Sequence, residues 1–205
     1  MTQRALLMAI MEPTSVMEEE FDDWYDLEHL PQMRAVPGID TATRFVAIEG
    51  WPRYLAVYDL KDFAVLRSAA YRSMTGAGFT AWSRRNLSRV KGWQRLTFKQ
   101  QSPGDVIIDD DCGALLVFVF KGSPDLGPAA EKLSGEPGVI QARAFGPGEE
   151  SNDGAALLVE AGSVGTLPHV PASHLSSALL AFSARYVRYS RTDPVAKFHA
   201  LEKHD

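Results

Sequence analysis

Hydrophobic and polar positions along this chain switch between two periods. Ala5 to Met11 is an almost unbroken apolar run of strand length, which predicts a buried strand. Pro13-Thr14-Ser15 breaks it. Met17, Phe21 and Trp24 then recur at helical spacing, with Thr14 or Ser15 as N-cap and Glu18 in the first turn. This predicts an amphipathic helix over Glu18–Pro31. It should stop near His29, because Pro31 disfavours helical geometry at Leu30. Ile39 to Ile48 predicts a second strand and Gly50-Trp51-Pro52 a turn. In the third strand, Arg53 to Leu60, Tyr54, Ala56 and Tyr58 alternate against Leu55 and Val57. Asp62 can cap a second helix carrying Phe63, Leu66 and Ala70. Gly76-Ala77-Gly78 interrupts it, and Trp82 to Leu87 adds a further turn or two. Val90 to Phe98 closes a β-α-β-β-α-β series, the ferredoxin-like order.

The pattern then recurs. Gln100 to Asp111, with Ser102-Pro103-Gly104 and a run of aspartates, reads as a linker in which Val106-Ile107-Ile108 could add an edge strand. Ala114-Leu115-Leu116 echoes Ala5-Leu6-Leu7. Pro137-Gly138-Val139, followed by Ala142 and Phe145, echoes Pro37-Gly38-Ile39, followed by Ala42 and Phe45. Ala155 to Glu160 matches the third strand and Ala184 to Arg191 the fourth. The shared order predicts an internal duplication. Its parts are repeat one at 1–99, a linker at 100–111, a degenerate repeat two at 112–192, and a tail helix at 193–205 opened by Asp193-Pro194. The helices of repeat two, about Pro124 to Leu133 and Ala172 to Phe182, are shorter and carry no counterpart of the acidic-aromatic helix.

Composition narrows the function classes. With 205 residues, 45% hydrophobic and 23% charged, the chain suits one large or two small globular domains. A net charge of -5 argues against nucleic acid as main partner. Cys112 stands alone, which rules out an intrachain disulfide and fits a reducing cytoplasm; it reads as a buried small hydrophobe. The N-terminal apolar run is too short to span a bilayer and lacks a cleavage site, so no membrane partner is expected. His169 and His174 have no carboxylate or cysteine company, so no metal is expected. Arg84, Arg85, Arg89, Lys91 and Arg95 read as a solvated face, with anion binding at a barrel mouth as the alternative.

Chemistry concentrates in the first helix. Glu28 falls on the apolar stripe four residues after Trp24, so it needs a partner or the solvent. His29 follows Tyr25 by four residues and can lean on that ring while bonding a nearby carboxylate. A partly desolvated imidazole there could move a proton. The alternative is a helix-end histidine satisfied by the last carbonyls and the dipole.

At WYDLEHLP, followed by AVPGI, ATRF and PRYLAVYDL, the chain resembles the dimeric α/β-barrel superfamily, in particular its EthD-like and uncharacterised bacterial branch. The resemblance covers Ala5 to Phe98. It implies an α+β fold in which two tandem ferredoxin-like repeats pack their antiparallel sheets as an α/β barrel around a cavity. A homodimer of such chains is compatible with it. Relatives include cofactor-free monooxygenases, polyketide cyclases, lactone isomerases, dehydratases and haem enzymes. The acid/base role of the helix histidine in some EthD-like isomerases would fall on His29. The expected enzyme is therefore cofactor-independent, a lyase or isomerase for a small hydrophobic or aromatic molecule. His29 would be its general acid/base, with Tyr25 and Glu28 orienting. Trp24, Tyr54 and Tyr58 would form walls, and Arg44 or Arg53 would hold a substrate carboxylate. The alternatives are a non-catalytic binding or assembly barrel and, further off, a haem protein or a cofactor-free monooxygenase.

Overall fold

The computed structural model describes residues 3–149, 154–170, 175 and 179–190. Its strands are β1 (Ala5–Glu12), β2 (Ile39–Gly50), β3 (Tyr54–Leu60), β4 (Lys91–Ser102), β5 (Ala114–Phe120), β6 (Val139–Pro147), β7 (Ala155–Ala161) and β8 (Leu180–Arg188). They close a barrel in the order β1-β3-β2-β8-β5-β7-β6-β4, every pair antiparallel. Within each half the order is fourth-first-third-second, the ferredoxin-like arrangement. The outer strands of one half pair with those of the other, β2 with β8 and β4 with β6. One chain therefore completes the barrel and leaves no free sheet edge.

Period-two alternation explains how the strands sort their side chains. Leu6, Met8, Leu55, Val57 and Phe45 point inward and meet Leu115, Val117, Phe145 and Leu158 of the second half. Leu7, Met11, Tyr54, Ala56 and Tyr58 point outward and are covered by the first half's helices. Leu116, Phe118, Leu157 and Val159 do the same beneath a helix of the second half, Gly127–Ser134. Strands β1, β3, β5 and β7 are thus buried on both faces, as their near-continuous apolar runs require.

The first helical layer departs from expectation at Pro31. Helix α1 (Glu18–Trp24) runs into a π-helical turn, Tyr25–His29, and continues as α2 (Leu30–Arg34). The N–H of Leu30 reaches back five residues to the carbonyl of Tyr25. The widened turn absorbs the missing N–H of Pro31, which becomes an initiating residue of α2 instead of a stop. Asp62 caps the next segment, accepting from the N–H of Ala64 at 2.8 Å. That segment is broken into a 3-10 stretch at Phe63–Arg67, α3 (Ala69–Arg72), a 3-10 turn at Gly76–Gly78 and α4 (Ala81–Leu87). In the second half α5 (Gly127–Ser134) covers the sheet. The helix expected over Ala172–Phe182 does not reach its C-terminal end, because Leu180 to Phe182 already belong to β8. The rest of that segment, His174 within it, lies largely outside the described residues, as do Arg191 and the tail expected to form a helix. Val106 to Ile108 forms no edge strand. Ile108 turns into the barrel interior, while β4 runs on through Ser102.

One end of the interior is polar, and its partners follow the duplication. Thr41 faces Asp59 across β2–β3, just beyond a bulge, and Gln141 faces Glu160 across β6–β7 at a matching bulge. Asp59 accepts from Thr41 Oγ1 at 2.7 Å and from the N–H of Ile108 at 2.8 Å. Glu160 accepts from Gln141 Nε2 and from the N–H of Asp109, both at 2.9 Å. Arg143 breaks the symmetry. It lies between the two acids, 2.6 Å from Asp59 and 2.7 Å from Glu160, and is fully buried, where the matching residue of the first half is Thr43. Burial pushes the Glu160 carboxyl up while Arg143 pulls it down. The other end opens as a cleft of about 320 Å³ past Leu96, Phe98 and Phe182.

Candidate functional site

The expected site residues gather outside the barrel, between its wall and the first helical layer, rather than between the two sheets. A cavity of about 330 Å³ lies there, within the size range of small-molecule pockets. Its floor is the outer face of β1 and β3, with Leu7, Ala9, Met11 and Tyr58. Met33 and His29 come from the first helical segment, and Thr75, Gly76 and Phe79 from the broken second one. Trp93 and Arg95 of β4 complete it. Arg95 stands directly across from Ala9 in the β1–β4 register, where a small residue leaves room above the sheet.

The π turn sets His29. It is 8% exposed, and its ring stacks on Trp24 at 4.8 Å and meets the edge of Tyr25 at 5.2 Å. Nδ1 is buried with no hydrogen-bond partner among the described residues. Among the described residues no carboxylate bonds the imidazole: Asp22 and Asp26 turn the other way, to Arg44. Burial, with the charge of Arg44 adding to it, pushes His29 down to about 4, so the ring is neutral at pH 7. A neutral imidazole offers one lone pair and one N–H.

Tyr25 and Glu28 stand behind the histidine and outside the cavity lining. Tyr25 is buried, with its hydroxyl 3.5 Å from that of Tyr58, and both phenols are pushed up by burial. Glu28 accepts from Thr80 Oγ1 at 2.6 Å and Ser83 Oγ at 3.1 Å, which fastens the π turn to the start of α4. Trp24 is fully buried and donates Nε1–H to the same Ser83 at 3.1 Å, so it backs His29 and does not line the cavity.

The two arginines expected to hold a ligand are engaged elsewhere. Arg44 pairs with Asp22 at 2.5 Å and Asp26 at 2.8 Å, between the rings of Tyr25 and Tyr189. Arg53 pairs with Glu12 and Glu18, and Tyr54 donates to Glu18 at 2.5 Å. None of Arg44, Arg53 and Tyr54 borders the cavity. Its cation is Arg95, whose Nε donates to the Tyr71 hydroxyl at 3.3 Å. Arg95, Trp93 and Tyr71 were not singled out from sequence as site residues. The signal was the alternation Trp93-x-Arg95-x-Thr97, which places these side chains on the sheet face that the helices cover.

A larger cleft, about 810 Å³, runs along α5 in the second half. It is bordered by exposed Lys132, Glu136 and His169 and holds no buried ionisable side chain among the described residues. Among the described residues no group of His, Cys, Asp and Glu side chains is placed to hold a metal ion, and no helix is long and apolar enough to cross a membrane.

No protein-family model matches the sequence, and no curated protein matches it. Solved structures do match. A crystal structure of an anthrone oxidase-like protein aligns with a TM-score of 0.66 at 12% identity, over 93% of this chain and 92% of its own. A heme-binding protein from Thermus thermophilus aligns at 0.54 and 8%, over 93% and 92%. A mutant chlorite dismutase from Candidatus Nitrospira defluvii aligns at 0.54 and 7%, over 93% of each chain. At these identities the likeness is one of fold, an antiparallel α+β barrel.

Proposed function

We propose that the cavity under the first helical layer binds a small, mainly apolar molecule and that His29 moves a proton on it. This is the chemistry of a cofactor-independent lyase or isomerase, and it would seat the chain beside the EthD-like branch of its fold. The site would belong to residues 1–99, which supply every described residue of the lining; the segment 112–192, expected to add a wall, contributes none of them. The observation that carries the reading is an unpartnered, neutral imidazole bordering an apolar cavity. Such a ring can accept a proton from a carbon acid next to a carbonyl. The C–H bond breaks, an N–H bond forms, and the electron pair moves onto the carbonyl oxygen as an enolate. Return of the same proton to another carbon completes an isomerisation with no net redox change. Tyr25 and Trp24 hold the ring in place from its edge and its face.

A haem does not suit the residues present. The cavity of about 330 Å³ offers one arginine where a haem carries two propionates. The second reading is a binding barrel without turnover. The lack of a carboxylate behind His29 favours it, since acid/base histidines are usually oriented by such a group.

The test is proton exchange in D2O, followed by NMR, on small lactones and aryl ketones with acidic C–H bonds. His29→Asn, with an unchanged circular dichroism spectrum, is expected to lower catalysed exchange by about a hundredfold or more. Exchange that persists unchanged removes the acid/base role. Ligand binding without exchange in the native protein would leave the binding barrel.

A further inference from the structure

Strand β4 borders two cavities, one on each of its faces. Trp93 and Arg95 line the cavity under the first helical layer. The alternate residues Gln94, Leu96 and Phe98 line the cleft at the open end of the barrel. The two linings share no described residue. The cleft, of about 320 Å³, is built by both halves of the chain, because Val119 and Phe182 of the second half line it as well. Phe98 and Val119 are buried. Leu96 and Phe182 pack on the same interior cluster but leave part of their apolar surface in the open. Gly122 and Gly154 put no side chain over the rim. The opposite end of the interior is closed by the buried Arg143 and its two acids, so the cleft is entered from one side.

Two features of this cleft point to a ligand. Part-open apolar side chains in a concave wall gain from being covered, and an eight-stranded barrel has room inside for side chains or for one slender ligand. The rim carries one sign of charge. The described lining holds a single charged side chain, Lys121, exposed just past β5, and no acid. We propose that the open end of the barrel is a second ligand site, which takes slender apolar molecules with an anionic head. The body lies between Leu96 and Phe182, and the head stays at the rim beside Lys121 and Gln94. This site goes beyond the acid/base reading of His29 and does not depend on it, because it draws on the inner face of β4 and on the second half of the chain. The body supplies most of the binding. Lys121 stands in water, so its pairing with the head adds only a few-fold.

Straight-chain carboxylates from butanoate to decanoate, titrated into the whole protein by calorimetry, supply the test. Affinity is expected to climb about fourfold with each added methylene and to level off once the cleft is full. Octanoate is expected to bind about two- to fivefold more tightly than the uncharged alcohol of the same length, and Lys121→Gln to remove that difference without changing the alcohol. Leu96→Trp fills the cleft from its floor. Ala181→Trp does so from an exposed position of the lining, where folding tolerates the larger ring. Either variant with a native circular dichroism spectrum should weaken octanoate about tenfold or more, whereas His29→Asn should leave it unchanged. A terminally brominated octanoate in crystals of the native protein locates the chain through the anomalous signal of bromine, expected between Leu96 and Phe182. Affinity independent of chain length, or bromine found elsewhere, overturns the site. So does octanoate binding that survives both tryptophan variants or is lost in His29→Asn. The alcohol binding as tightly as the acid, or a preference that outlasts Lys121→Gln, overturns the anionic head. Failure of proton exchange at His29 touches none of these readouts.

Discussion

Lowering the pH should cost this fold stability through His29 in a way that can be isolated. In an unfolded chain the imidazole takes up a proton near 6.5; in the fold it resists until about 4. Between these values the unfolded state binds more protons than the folded one, so stability rises with pH and is lost as the pH falls. Above about 7 both states are neutral and the group contributes nothing. From the two values the loss reaches about 2 kcal/mol at pH 5 and about 3 kcal/mol at pH 4. That is a sizeable share of the roughly 5–15 kcal/mol typical of a domain. His29→Phe keeps a ring between Trp24 and Tyr25 and removes the titration. Urea unfolding of both proteins from about pH 7.5 to pH 4 supplies the comparison, because every other titrating group is shared and cancels. The native protein should lose about 3 kcal/mol more than the variant by pH 4, with most of the divergence below about pH 6.5. Parallel curves would mean that the ring is solvated or protonated in the fold, and the argument from a dry imidazole would fail.

Two further perturbations probe the body of the protein. Arg143→Met strips the counter-charge from two buried acids and should cost about 3–5 kcal/mol in urea unfolding; a loss under about 1 kcal/mol would show that water reaches the barrel interior. Cys112 is buried and its thiol is pushed up to about 12, so at about pH 8 a disulfide reagent should label it only as fast as the protein unfolds. Prompt labelling of the native protein would contradict that burial.

Much of the architecture was legible because it rests on local periods. The alternation Tyr54-x-Ala56-x-Tyr58 reports a strand with one face to the helices, and the spacing of Phe21 and Trp24 reports the helix that covers it. The internal echo from Pro37 to Phe45 and Pro137 to Phe145 reappears as paired bulges in β2 and β6. The helix end was misplaced because the constraint before a proline assumes α geometry, and a π turn relaxes it. Polar contacts across the fold were not legible. Arg44 and Arg53 were expected to hold a ligand, yet each meets acids of the protein itself, from segments distant in sequence. Arg95 looked like part of a surface cluster because its place in the cavity lining depends on which elements fold over β4. Asp59, Arg143 and Glu160 each read as a lone polar residue in a strand, and only barrel closure brings them together.

That closure makes the two halves non-interchangeable. A barrel built from two copies of the first half would bury two aspartates opposite two threonines, Asp59 and Thr43 twice over, with no cation at either position. Two copies of the second half would instead enclose two arginines with two glutamates. The first half therefore depends on the second for the cation that its buried Asp59 meets. Descent from a symmetric ancestor would thus be a one-way step: once Arg143 stood in one half and not in its twin, severing the chain between β4 and β5 would leave the first half unable to pair productively with itself.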